Sequence, residues 1–131
     1  MHPGETVEFS GIKITGTFAL PTDATDFNHL GYLIEFAPGI RVYNTGDTAM
    51  TSLLHSLPVT PIDVLLICIN GGFDNLDHFE AAEVTCKLNP EVAIPCHYDL
   101  MVNNVENPAM YFTSLATQGF SGTMNQLAYY K

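Results

Sequence analysis

Positive charge is scarce in this sequence. Four lysines and arginines face fourteen aspartates and glutamates across 131 residues, for a formal charge of −10. Such a field repels phosphate backbones and anionic lipid surfaces, so neither nucleic acid nor a membrane is an expected partner. Cysteine is scarce too. Cys68, Cys86 and Cys96 form no C-x-x-C pair, and their odd number and apolar neighbours read as buried free thiols of a reducing compartment. No run approaches the roughly 20 apolar residues of a membrane span. The opening Met1-His2-Pro3-Gly4-Glu5 has no basic-then-apolar segment, so a cytoplasmic location is expected. Linkers, repeats and low-complexity tracts are absent. So are a nucleophile elbow, a phosphate-binding glycine loop and a Cys-His protease pair.

An apolar fraction of 47% is enough for a packed core, and the length predicts a single domain over residues 1–131. The chain opens with alternating β-branched stretches, Thr6 to Phe9 and Ile12 to Leu20, split by Ser10-Gly11. Pro21 to His29 reads as a polar loop. Leu30 to Phe36 and Ile40 to Asn44 read as a hairpin about Pro38-Gly39. Thr48 to Leu57 is a short helix candidate stopped by Pro58. The apolar run Ile62 to Asn70 predicts a strand buried on both faces, ended by Gly71-Gly72. Asp77 to Leu88 is the clearest helix, with Asp77 and Glu80 spaced as a capping box and Phe79, Ala82, Val84 and Cys86 as its apolar face. Val92 to Pro95 is a second buried strand. Pro108 to Gln118 reads as a helix with Met110, Phe112 and Leu115 apolar, and Met124 to Tyr130 as a last strand. This order predicts an α/β fold, a mixed sheet with helices on one face.

In such sheets ligands gather beyond the carboxyl ends of the strands. Asp47, in Asn44-Thr45-Gly46-Asp47-Thr48, and His97, in Pro95-Cys96-His97-Tyr98-Asp99, both fall there and read as metal ligands. Asp47 reads equally as an N-cap for a helix starting near Thr48, and a lone His97 as a hydrogen-bonded strand-end residue. Asp99 is placed to orient an imidazole. His29 reads as a loop or substrate-side residue. His78 reads as a helix-start residue beside the Gly71-Gly72 loop, and His2 and His55 as surface residues.

Five stretches in order resemble the metallo-β-lactamase superfamily, in the branch that includes L-ascorbate-6-phosphate lactonase. They are His29-Leu-Gly-Tyr-Leu-Ile-Glu35, Arg41-Val-Tyr-Asn-Thr-Gly-Asp-Thr48, Ile62 to Gly72, His78-Phe-Glu-Ala-Ala-Glu83 and Val92-Ala-Ile-Pro-Cys-His-Tyr-Asp99. The resemblance implies half of an αββα sandwich, the C-terminal half. It implies two divalent ions, zinc or manganese, with Asp47 at the bridging aspartate and His97 at the last histidine ligand. The implied chemistry is metal-assisted hydrolysis of a small molecule such as a lactone.

The His-x-His-x-Asp-His motif of that family has no counterpart here. Leu20-Pro21-Thr22-Asp23 stands where another family histidine is expected. With two matched ligands, a truncated, weakly active chain is expected, with an apolar sheet face exposed and prone to self-association or to pairing with a missing N-terminal half. A non-catalytic module that pairs with another chain is the alternative, and a metal-free small-molecule binding domain is a third. Lys13, Arg41, Lys87 and Lys131 give no clear phosphate site at the strand ends.

Overall fold

The computed structural model describes residues 1–20, 29–37, 39–99, 102 and 105–128. Seven strands lie side by side in chain order: β1 (Thr6–Phe9), β2 (Ile12–Phe18), β3 (Leu30–Phe36), β4 (Ile40–Asn44), β5 (Val64–Cys68), β6 (Val92–Cys96) and β7 (Thr123–Met124). Neighbours from β1 to β4 are antiparallel, and those from β4 to β7 are parallel. The parallel steps cross over through a 3₁₀ turn (Ser52–Ser56), helix α1 (His78–Leu88) and helix α2 (Pro108–Thr117). Three crossovers of one hand advancing one way across a sheet place all three elements on one face. Accordingly α1 packs against α2, the 3₁₀ turn and β5. The expected mixed sheet with helices on one face is the observed architecture.

Helix α1 starts where its capping box predicts. The Asp77 carboxylate accepts from Phe79 N and Glu80 N, both at 2.8 Å, and Glu80 Oε2 accepts from Asp77 N at 3.2 Å. Two otherwise unpaired donors are satisfied at once. Asp77→Ala is expected to lower unfolding stability by about 1 kcal/mol, read as a lower urea midpoint with unchanged slope.

The buried face of α1 differs from expectation. Ala81, Ala82, Val84, Thr85 and Leu88 are buried, while Phe79 is exposed and Cys86 half-buried. Thr85 is inside because its hydroxyl is satisfied. It donates to Ala81 O at 2.8 Å and accepts from the Tyr111 hydroxyl of α2 at 2.7 Å. On α2, likewise, Tyr111 and Ser114 join Leu115 in the buried set while Met110 is exposed. The expected helix from Thr48 shrinks to the 3₁₀ turn, and the last strand to Thr123–Met124. Residues 21–28, Pro38 and residues 129–130 of the predicted loop, turn and strand lie outside the described residues, as does Lys131.

The two faces of the sheet differ in kind. Under the helices, Leu33, Tyr43, Leu65 and Ala93 stand opposite one another on successive strands and join the core with Ala81, Val84, Leu88, Tyr111 and Leu115. Toward β1 this same face turns polar. Glu8, Lys13, Glu35 and Arg41 form a cross-strand row of alternating charge, with Lys13 Nζ 2.8 Å and Arg41 Nε 3.5 Å from the Glu35 carboxylate. The opposite face carries Val7, Ile14, Ile34, Val42, Val64 and Val92, six β-branched residues in one cross-strand row. A parallel row holds Phe9, Ile12, Phe36 and Ile40. Phe9 is 78% and Ile40 50% exposed, and every member of the six-residue row is exposed or half-buried. Charged pairs face water on one side, so the uncovered apolar rows on the other have the composition of a buried surface.

Candidate metal centre

Strands β4, β5 and β6 run parallel, and their carboxyl ends meet at one edge of the sheet. Asp47 lies three residues past β4, Cys68 is the last residue of β5, and His97 follows β6 directly. One donor atom from each lies within 4.8 Å of the other two. His97 Nδ1–H donates to Asp47 Oδ1 at 2.8 Å, and that nitrogen is 3.6 Å from Cys68 Sγ. The Asp47 side chain is 43% exposed and that of His97 24%, while Cys68 is 1% exposed. The cluster is therefore open to solvent above and walled by the thiol below.

Local backbone chemistry builds this arrangement. Thr45 N donates to Leu66 O at 3.0 Å and Cys68 N donates to Thr45 Oγ1 at 3.3 Å, tying the end of β4 to the end of β5. Gly46 then turns with φ +62° and donates to Asn44 Oδ1 at 2.9 Å. Thr48 accepts from Leu20 N at 2.9 Å through its hydroxyl and from Leu76 N at 3.0 Å through its carbonyl. Asp47, held between these anchors, caps no helix. The 3₁₀ turn begins at Ser52, with Thr51 as its cap. His97 has φ +54°, a left-handed conformation uncommon outside glycine. Such conformations recur where a side chain must be aimed.

Asp47 has a second partner that the sequence reading passed over. Asn75, buried in the loop between β5 and α1, donates from Nδ2 to Asp47 Oδ2 at 3.3 Å. One carboxylate oxygen thus faces His97 and the other is held by an amide. In the sequence Cys68 reads only as a buried strand thiol. The signal that marks it is its position, the last residue of a strand that ends at the same edge as Asp47 and His97.

The remaining predicted residues fall in different places. His29 is half-buried just before β3, at the end of that strand nearest the Asp47 turn. Asp99 is exposed two residues beyond His97. His78 shares a 3.0 Å hydrogen bond between its Nδ1 and Ser114 Oγ, joining α1 to α2. His55 is half-buried, with Nε2 3.5 Å from Glu83, rather than a plain surface residue. Of the three free thiols Cys68 is buried, whereas Cys86 and Cys96 are half-buried. A cavity of about 240 Å³ lies elsewhere, against Thr15 to Phe18, Leu33 and Leu57 to Val59, and no titratable side chain lines it.

Charge at the cluster is one-sided. Burial pushes the Cys68 thiol up to about 12, with the nearby Asp47 charge acting the same way, and burial followed by Asp47 does the same to Cys96. Lys13 and Arg41 are engaged with Glu35, and Lys87 sits in the last turn of α1. A carboxylate and an imidazole converge at a solvent-open edge, with no lysine or arginine ion-paired to Asp47 among the described residues. That donor set fits a divalent cation.

The mixed sheet with its helices on one face has the architecture of the metallo-β-lactamase fold. A family model described as "Beta-lactamase superfamily domain" matches residues 1–97, and the chain belongs to this superfamily. Over 107 residues it is 35% identical to a UPF0173 metal-dependent hydrolase of Alkaliphilus metalliredigens, covering 76% of this chain and 47% of that protein. Over 106 residues it is 34% identical to a UPF0173 metal-dependent hydrolase of Thermoplasma volcanium, covering 76% and 45%. The structure superimposes on Igni18, a metallo hydrolase of Ignicoccus hospitalis, with a TM-score of 0.80 and 22% identity, covering 97% of this chain and 56% of that one. The chain spans about half the length of the curated relatives it matches. Among the described residues, no helix is long and apolar enough to cross a membrane.

Proposed function

We propose that this chain carries one side of the metal centre of a metal-dependent hydrolase, with Asp47 and His97 holding the ion. The observation that carries this reading is the convergence of the two side chains at 2.8 Å from the ends of separate parallel strands. A divalent cation there supplies Lewis-acid polarisation of the attacked centre. The chain's own groups supply position. Asn75 fixes the Asp47 carboxylate, and the left-handed backbone of His97 aims its ring. Fold alone does not name a substrate. A lactone is proposed from the resemblance of the five stretches, zinc or manganese from the same source, and a reducing cytoplasm from the free thiols. The reading is tested by equilibrium dialysis of the purified chain against zinc and manganese, followed by hydrolysis assays on a lactone panel. Stoichiometric uptake of neither metal by the chain would defeat it.

The open apolar face bears on how the centre is completed. The donor cluster lies at one end of that face, since Cys68 and Cys96 continue the open-face alternation of β5 and β6. We propose that a second sheet layer packs there and that this layer brings further ligands. The additional length of the relatives supports this reading, and so does an aliphatic row that crosses six strands. In the isolated chain the occupant is a second copy, which makes a self-associating interaction module the alternative to a hydrolase half. Sedimentation of the chain is expected to give a dimer or larger species. Ile34→Lys with Val42→Lys, both half-buried on the open face, is expected to return a folded monomer. A wild-type chain monomeric at tens of micromolar would overturn the interface.

A further inference from the structure

We infer that Cys68 is a third ligand of this centre, binding as a thiolate beside Asp47 and His97, and that the resident ion is accordingly zinc rather than manganese. This rests on the reading of Asp47 and His97 as ligands. Two geometric observations carry it. First, the three donor atoms come from three successive parallel strands and lie within 4.8 Å of one another. Zinc bonds of about 2.0–2.3 Å hold the donors of one ion to within about 4.5 Å, so small side-chain adjustments bring all three onto one cation.

Second, Cys68 departs from the pattern of its own strand. Val64 and Leu66 precede it on the open face as aliphatic residues. At Cys68 the surroundings become polar. Sγ–H donates to Asn70 Oδ1 at 3.3 Å and faces His97 Nδ1 at 3.6 Å. A cysteine serving as a small hydrophobe sits among apolar atoms, whereas this one is buried against a carboxylate, an imidazole and an amide. Its register partner Cys96 is outside the donor group. Coordination exchanges the S–H proton, released to solvent, for a sulfur–metal bond, with no change of oxidation state. Thiolate is a soft donor that selects zinc, cobalt or iron over manganese and magnesium.

The test is a cobalt(II) titration of the full chain, in which thiolate ligation shows as a near-ultraviolet charge-transfer band and ion binding as weaker visible bands. Wild type is expected to give both. Cys68→Ser is expected to keep the visible bands at 10- to 100-fold weaker affinity and to lose the charge-transfer band. The double variant Cys86→Ser with Cys96→Ser leaves Cys68 as the only thiol and is expected to retain it, so the test stands even where Cys68→Ser folds poorly. Visible bands without charge transfer in the wild type would overturn the role of Cys68 while leaving Asp47 and His97 as ligands. A band lost in the double variant would assign the sulfur to another cysteine. Absence of all bands would overturn this inference together with the reading it rests on. Zinc is expected to displace cobalt, and manganese to fail to do so at 100-fold excess.

Discussion

Asp47→Ala is expected to abolish high-affinity metal binding, by at least about 100-fold, while leaving the fold in place. Loss of even an outer partner of a metal ligand costs about 10- to 100-fold in affinity, and here the substitution removes a proposed ligand together with its negative charge. It also strands two donors, His97 Nδ1 and Asn75 Nδ2, which both point at the deleted carboxylate. The fold is insulated because Asp47 is outside the hydrophobic core and its side chain is 43% exposed. Without metal, the variant is expected to stay within about 1 kcal/mol of wild type. With zinc the two should separate. An ion at 100 times its dissociation constant stabilises the wild type by about 2.7 kcal/mol, a gain that vanishes in a chain unable to bind it. Thermal melts of both proteins with and without zinc read this directly. Asp47→Asn separates charge from shape, since the amide keeps a bond to Asn75 and still loses the zinc-dependent shift. A zinc shift that survives Asp47→Ala would place the ion elsewhere.

Much of this architecture is legible in the sequence because its elements are set by local chemistry. β3 and β4 take their predicted bounds because alternation and the intervening turn act within a few residues. The α1 start is equally local, a capping box closed by two side chains three residues apart. Where distant residues decide, the reading departs. Thr48 to Thr51 stay out of a helix because Thr48 is claimed by Leu20 from before β3 and by Leu76 from before α1. Thr85 is buried because Tyr111, 26 positions away, answers its hydroxyl. The site divides the same way. Asp47 and His97 stand out because each is a ligand-type residue placed just past the end of a strand. Cys68 does not, since a cysteine closing a Val-Leu-Leu-Ile strand looks like core, and only the register of β4, β5 and β6 shows what it faces. Asn75 had no local signal at all, because it acts on a residue 28 positions earlier.

Gly46→Ala is the substitution expected to harm both fold and site. Gly46 has φ +62°, where an L-residue costs about 1–2 kcal/mol. A Cβ there would also clash with Leu30 O and lie 3.2 Å from Leu30 C. These are backbone atoms at the start of β3, a strand paired on both sides, so neither can swing aside as a side-chain tip would. Relief has to come from moving the Asn44 to Thr48 turn, whose bonds to Leu66 O, Asn44 Oδ1 and Leu20 N hold Asp47 in place. The expected loss is about 3 kcal/mol or more, read from the urea midpoint, with metal affinity falling in whatever fraction remains folded. Gly11→Ala is the matched control. Gly11 has φ +79° but nothing within 4 Å of its would-be Cβ, so that variant carries the conformational cost alone, about 1–2 kcal/mol. The difference between the two variants isolates the contact with β3. Equal losses would mean that the turn yields freely, and that the position of Asp47 is set by something other than the close approach of Gly46 to Leu30.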